Sequence, residues 1–186
     1  MKRILAAVLA MLLLCAGAMA EEIAFETYAQ SFAELTEEVW AADGIELIQT
    51  LAPADGVTVS VCLEGENVAA ITVEFPCGEI GDAVRAAVGN LGLLSESALE
   101  QVFAMEEGAT LEVEDCMVYR VHGKNRDAFG LCAAEDAEEM VWQPIHGGEK
   151  LHSEYGCSGM DVARMITAEA AQLTGWENCK RCHEAE

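Results

Sequence analysis

Val57, Val59, Val61 and Leu63 alternate with polar or small residues, the period-two pattern of a half-buried strand. Ile71, Val73 and Phe75 repeat the pattern beyond a turn at Gly65-Glu66-Asn67, and Pro53-Ala54-Asp55-Gly56 marks the turn before the first strand. Strands over 110–122 and 127–134 flank Gly123-Lys124-Asn125-Arg126, a second hairpin signal. Elsewhere the spacing is helical. Tyr28, Phe32, Leu35, Val39 and Ala42 predict one helix, with Thr27 and Gln30 as a capping box and Gly44 as its stop. Ile80, Val84, Ala87 and Leu91 mark a second helix. Ser95 caps a third, whose core face holds Leu99, Val102 and Phe103 and whose Leu94 staples onto Leu99. The order predicts an α+β fold, an antiparallel sheet with helices on one face.

Charge narrows the function classes. The 186 residues are 52% hydrophobic, too apolar and too well patterned for a disordered chain. They carry 10 Lys+Arg against 33 Asp+Glu, a formal net charge of −23. This excludes a general basic surface for nucleic acid or anionic membrane. Lys2 and Arg3, the apolar run Ile4 to Leu14 and the small-x-small end Ala18-Met19-Ala20 have the form of a signal peptide, residues 1–20. The run is too short to span a bilayer. The expectation is a mature chain from Glu21 onward that is secreted, extracellular or in the cell envelope, with no membrane span after cleavage. Residues 21–140 hold 4 basic and 26 acidic residues, whereas residues 141–186 hold 4 and 7. The step follows Glu135-Asp136-Ala137-Glu138-Glu139 and divides an acidic α+β domain, 21–138, from a small module, 139–186.

Candidate chemistry in the larger part is sparse. Its acidic residues are scattered and form no calcium-loop pattern. Arg120 and His122 share a strand face and fit a partly exposed sheet. Cys62, Cys77, Cys116 and Cys132 permit disulfides in an exported chain, with Cys116 and Cys132 on opposite hairpin arms where they can face each other. Four cysteines allow three pairings, so the connectivity stays open. The C-terminal part is more specific. It contains His152-x4-Cys157-x21-Cys179-x2-Cys182. A Cys-x2-Cys pair clasps one side of a tetrahedral ion and a distant pair closes it; three thiolates and one imidazole suit a structural Zn²⁺. The competing reading is a disulfide between Cys157 and either Cys179 or Cys182.

Residues 139–183 also resemble the small metal-binding module of the Ada alkylation-repair family, in the form found at the C-termini of exported bacterial proteins. The resemblance rests on Val141-Trp142, Gly148-Glu149-Lys150-Leu151-His152, Cys157-Ser158-Gly159-Met160, Met165-Ile166-Thr167, Glu169-Ala170, Gly175-Trp176 and Cys179-Lys180-Arg181-Cys182. It implies a β-hairpin, a short helix starting near Thr167 and a zinc-holding Cys-x2-Cys. The residues suit that plan. Val141 to Ile145 and Glu149 to Ser153 can pair around His146-Gly147-Gly148, Thr167 can cap the helix, Ala170 and Leu173 can pack inward, and Gly175 can stop it. A longer helix from Ser158 through Val162 and Ile166 is the alternative. His152 stands where the Ada family has its methyl-accepting cysteine, so that activity does not carry over.

Two other likenesses share these residues. Cys179-Lys180-Arg181-Cys182-His183 has the form of a c-type haem attachment site and resembles the end of a cytochrome c′. Cys157-Ser158-Gly159 resembles the nucleophile motif of a family of cell-wall cysteine peptidases, whose histidine lies on a strand well downstream. No catalytic constellation emerges. The sequence therefore predicts an exported, non-catalytic binding or interaction protein with an unknown protein or envelope ligand. Its C-terminal zinc module is held by His152, Cys157, Cys179 and Cys182. A haem redox carrier is the alternative.

Overall fold

The alternating segments pair as neighbours in one sheet. The computed structural model describes residues 23–33, 36–78, 80–89, 94–157 and 160–183. The predicted signal segment, Leu35, Leu91 and the Ser158-Gly159 pair lie outside the described residues. The strands are β1 (Ala41–Asp43), β2 (Ile45–Ala54), β3 (Val57–Glu64), β4 (Asn67–Pro76), β5 (Thr110–Val113), β6 (Cys116–His122) and β7 (Arg126–Ala133). They form a seven-stranded sheet in the order β1-β2-β3-β4-β7-β6-β5. Every neighbouring pair is antiparallel. Two meanders thus meet at the β4–β7 pair, and the chain between them forms α2 (Asp82–Gly89) and α3 (Glu96–Phe103). Ser95 caps α3 as expected, accepting a hydrogen bond from the Ala98 N–H at 3.3 Å. The α+β class and the antiparallel sheet follow the sequence pattern.

Cross-strand partners share a face, so register sorts the two sides of the sheet. Val59, Val73 and Phe129 are cross-strand partners on β3, β4 and β7. With Val61, Ile71, Val118 and Leu131 they belong to a core that includes Val84, Ala87 and Val88 of α2 and Val102 of α3. Ser60, Thr72, Gly130 and Tyr119 form the neighbouring row across β3, β4, β7 and β6, on the opposite face. In isolation this row looks solvated, and its alternation with Val57, Val59, Val61 and Leu63 predicts a half-buried β3. It is covered instead. Met140, Trp142, Leu151, Val162, Met165 and Ile166 from the C-terminal part form a second core with Ile48, Cys62, Ala70, Val121, Ala128 and Cys132 of the sheet. A Cβ at Gly130 would stand 3.3 Å from the Met165 sulfur and 3.5 Å from the Trp142 ring. The row is a shallow trough that receives those two side chains. Its polar groups are used: Thr72 Oγ1 accepts the Met165 N–H at 3.1 Å.

Four local expectations are corrected. The first helix, α1, spans only Phe25–Gln30, with Ala24 as its N-cap and no side-chain cap. Tyr28 and Phe32 are buried, but Val39 is 79% exposed and Ala42 lies in β1. Trp40 folds back onto Phe25, Tyr28 and Phe32, with ring centroids 5.3, 5.9 and 5.5 Å away, and that aromatic cluster ends the helix early. The segment 110–122 divides at Glu114-Asp115, both in the left-handed region at φ 49° and 62°. Glu114 is anchored there by accepting from the Ser95 N–H and hydroxyl, which holds its carboxyl below the usual range. Met117 faces Cys132 across β6–β7, so Cys116 points to the other face. Cys116 and Cys132 sit in different cores and both are thiols. Burial, then Asp136, pushes the Cys132 thiol up to about 12.

The fourth correction lies in the C-terminal part. Strand β8 (Val141–Pro144) pairs antiparallel with β10 (Ala163–Ile166), which excludes the alternative long helix. Strand β9 (Lys150–Leu151) pairs parallel with β11 (Glu177–Asn178). The expected hairpin survives as one bridge, Trp142 with His152. Thr167 caps α4 (Ala168–Thr174) through the Ala170 N–H at 3.2 Å, and Gly175 ends it at φ 69°. Ala170 is buried, whereas Leu173 is 58% exposed rather than packed inward.

Trp142 joins the two parts through its packing. It is buried, with Tyr119 and Tyr155 each 5.2 Å away between centroids. Trp142→Ala should lower folding stability by about 3–5 kcal/mol, and Val39→Ala should change it by less than about 0.5 kcal/mol. Urea denaturation of both variants checks this contrast.

Candidate metal centre

His152 follows β9 and is fixed by its backbone. Its N–H donates to the Trp142 carbonyl at 3.0 Å, and the Trp142 N–H donates back at 2.8 Å. Cys179 follows β11, and its N–H donates to the Leu151 carbonyl at 2.7 Å, beside His152. One turn of α5 (Lys180–His183) then brings Cys182 to the same side; the His183 N–H donates to the Cys179 carbonyl at 3.1 Å. The Ser153 hydroxyl donates to the Cys182 carbonyl at 2.9 Å and ties α5 to the loop after β9. Cys157 comes from a turn in that loop, where its N–H donates to the Glu154 carbonyl at 3.4 Å. Four backbone positions from three segments therefore converge without any side chain having to reach far.

The donor atoms of His152, Cys157, Cys179 and Cys182 all lie within 4.8 Å of one another. Cys157 Sγ and Cys179 Sγ are 3.8 Å apart, and Cys182 Sγ is 3.6 Å from His152 Nδ1. A tetrahedral ion with metal–sulfur bonds of about 2.3 Å and metal–nitrogen bonds of about 2.0 Å has edges of about 3.8 Å and 3.5 Å. The separations match that figure. They far exceed a disulfide bond of about 2.05 Å, so Cys157 and Cys179 stand here at a ligand spacing. The predicted ligand set is thus brought together whole, and this group can hold a metal ion. His152 is buried, and burial first, then the charges of His183 and Lys150, lowers its pKa. That favours the neutral imidazole, the form that ligates metal. Three thiolates leave a divalent ion with net negative charge; Lys180 and Arg181 adjoin Cys179 and Cys182 in sequence, and Lys150 stands two residues before His152. Among the described residues, a groove lined by His146, Glu149, Lys150, Trp176 and Glu177 borders the centre.

The residues of the rival readings are placed as follows. Cys179 and Cys182 of the haem-like pentapeptide turn their thiols into the four-residue group, and His183 is not part of it. His183 Nε2 is buried without a hydrogen-bond partner. Of the other histidines, His146 meets buried Glu74 at 2.5 Å, and His122 meets Asp127 at 2.7 Å. Sequence reasoning did not connect Cys77, His122 and Asp127, which form a second group of potential ligands. The usable signal was register. Asp127 faces both Phe75, two residues before Cys77, and His122.

Searches against family models, curated proteins and solved structures give no match to this chain. The candidate metal-ligating group therefore rests on its own geometry.

Acid should weaken the centre in a definite direction. Protons compete with the metal for thiolates and imidazole, so zinc affinity falls as pH falls. For the metal-free protein, the lowered His152 pKa means that the unfolded chain binds the proton more readily. Its contribution to stability is therefore complete above about pH 6.5 and is lost progressively as pH drops below that value. Metal-free wild type should lose stability over that range with a steeper slope than His152→Gln, as measured by urea midpoints at a series of pH values.

Proposed function

We propose that the chain is an exported, non-catalytic binding protein whose C-terminal segment is fixed by one structural zinc ion on His152, Cys157, Cys179 and Cys182. The observation that carries this reading is the set of four donors within 4.8 Å of one another, with the Cys157–Cys179 and Cys182–His152 separations at tetrahedral-edge lengths. Four protein ligands leave no open position for substrate or water, and a closed site of this kind holds structure rather than performing chemistry. The small amount of regular structure in residues 139–183 supports the same role. Strands of two and four residues cannot stand alone, and metal binding supplies folding energy to such segments. The motifs shared with Ada-type modules of exported proteins favour this assignment, and histidine at the first ligand position favours a structural site over methyl transfer.

The expectation of export rests on residues 1–20, and the acidic surface suits cationic or neutral partners in the envelope or outside the cell. No helix among the described residues is long and apolar enough to cross a membrane. The groove beside the zinc centre, with Lys150, Glu149 and Trp176 on its walls, is the proposed contact surface for that partner.

Elemental analysis of protein purified under reducing conditions tests the centre. Cys179→Ser or Cys182→Ser should hold one zinc fewer than wild type. His152→Ala should retain that zinc with weaker affinity, because three thiolates and a water complete the shell. His183→Ala should keep wild-type affinity; loss of metal in that variant together with wild-type affinity in His152→Ala would transfer the site to Cys179, Cys182 and His183. Zinc at a thousandfold excess over its Kd should raise stability by about 4 kcal/mol, and a chelator should remove that increment.

A further inference from the structure

We propose that the protein has a second divalent-metal site, formed by Cys77, His122 and Asp127, which is open to solvent and suited to an exchangeable zinc ion. The three donors lie within 4.8 Å of one another. Asp127 is fully buried, and its Oδ1 is 3.5 Å from Cys77 Sγ and 2.7 Å from His122 Nδ1. Glu107 Oε2 lies 3.4 Å from the same imidazole nitrogen and is a candidate fourth ligand. For zinc with sulfur at about 2.3 Å and oxygen or nitrogen at about 2.1 Å, tetrahedral edges are about 3.6 Å for S–O and about 3.4 Å for N–O. The Cys77–Asp127 and Glu107–His122 separations are at those lengths. The His122–Asp127 contact is a hydrogen bond in the metal-free protein and has to open by about 0.7 Å on loading, which an exposed imidazole can do by rotation.

The backbone around the group is set in advance. Asp127 lies in β7 opposite His122 of β6, and Cys77 directly follows β4 on the other side of β7. The Gly78 N–H donates to Asp127 Oδ2 at 3.2 Å and holds the carboxylate. The Gly123 N–H donates to the Arg126 carbonyl at 2.8 Å and closes the turn beside it. At Gly123 a Cβ would come within 2.4 Å of the Asp161 backbone and side chain, so only glycine admits the neighbouring loop here. Tyr155 donates its hydroxyl proton to the His122 carbonyl at 2.8 Å, fixing the histidine from the C-terminal side.

Two features set the chemistry. One carboxylate oxygen lies between the thiol and the imidazole, so His122 is not poised to take the Cys77 proton as a nucleophile's base would be. The carboxylates of Asp127 and Glu107 and the strongly acidic chain favour a cation. The side chains of His122 and Glu107 are 45% and 49% exposed. The mixed S, N, O donor set suits zinc, and the exposure leaves room for water and for exchange, unlike the closed Cys/His centre.

The test is zinc titration of the reduced full chain against a chromophoric chelator, with circular dichroism confirming each variant's fold. Wild type should bind two equivalents. Cys77→Ser and His122→Gln should each lose the weaker one and retain the tighter one, whereas Cys182→Ser should lose the tighter one. His122 lies at the exposed end of β6, so His122→Gln provides the readout if Cys77→Ser does not fold. A wild type with one equivalent that neither substitution changes, or two that neither reduces, overturns the second site. That failure is separate from failure of the C-terminal centre, which Cys182→Ser reports alone.

Discussion

The paired backbone hydrogen bonds between Trp142 and His152 connect the packing of the protein to its candidate metal centre. The Trp142 side chain enters the trough of Ser60, Thr72, Gly130 and Tyr119, where it shares a core with the sheet. The backbone of the same residue sets the position of His152, a candidate metal ligand. Burial of a large aromatic side chain and placement of an imidazole are therefore one structural event. The metal in turn would fasten the segment that covers the trough. Sheet burial and coordination would support each other, and short strands such as Lys150–Leu151 and Glu177–Asn178 have little cohesion of their own.

The polar residues on the covered face show how the segment is aligned as well as buried. Thr72 receives the Met165 N–H, and the Cys62 sulfur receives the Thr167 N–H at 3.3 Å, which places the start of α4 against β3. Arg164, itself buried, donates to Gln143 at 2.7 Å and pairs with Asp43 at 2.6 Å, connecting β10 to β8 and to the β1 edge. Buried Glu74 pairs with Arg126 and His146. Each of these groups would be costly to bury without a partner, so they restrict the segment to one register on the sheet.

Much of this was legible where local chemistry alone decides the outcome. The Asp55-Gly56 and Gly123–Arg126 turns, the Ser95 and Thr167 caps and the convergence of the four C-terminal candidate ligands depend on residues close in sequence or on a recognisable donor set. The misread features depend on distant partners. The helix expected through Val39 and Ala42 ends because Trp40 returns to Phe25, Tyr28 and Phe32, a tertiary preference invisible to periodicity. Val162 and Ile166 fit a helix as well as a strand until β8 lies beside them. The trough looked like a wet face because Ser, Thr and Gly are small and polar, yet smallness is what admits Trp142 and Met165. Cys77, His122 and Asp127 are distant in sequence and meet only through the β4–β7–β6 register.

Zinc-edge X-ray absorption of the reduced protein carrying one equivalent of zinc tests the central claim most directly. Coordination by Cys157, Cys179, Cys182 and His152 predicts a shell of three sulfur atoms at about 2.3 Å and one nitrogen at about 2.0 Å. A shell of oxygen and nitrogen alone, or a single sulfur, would contradict it.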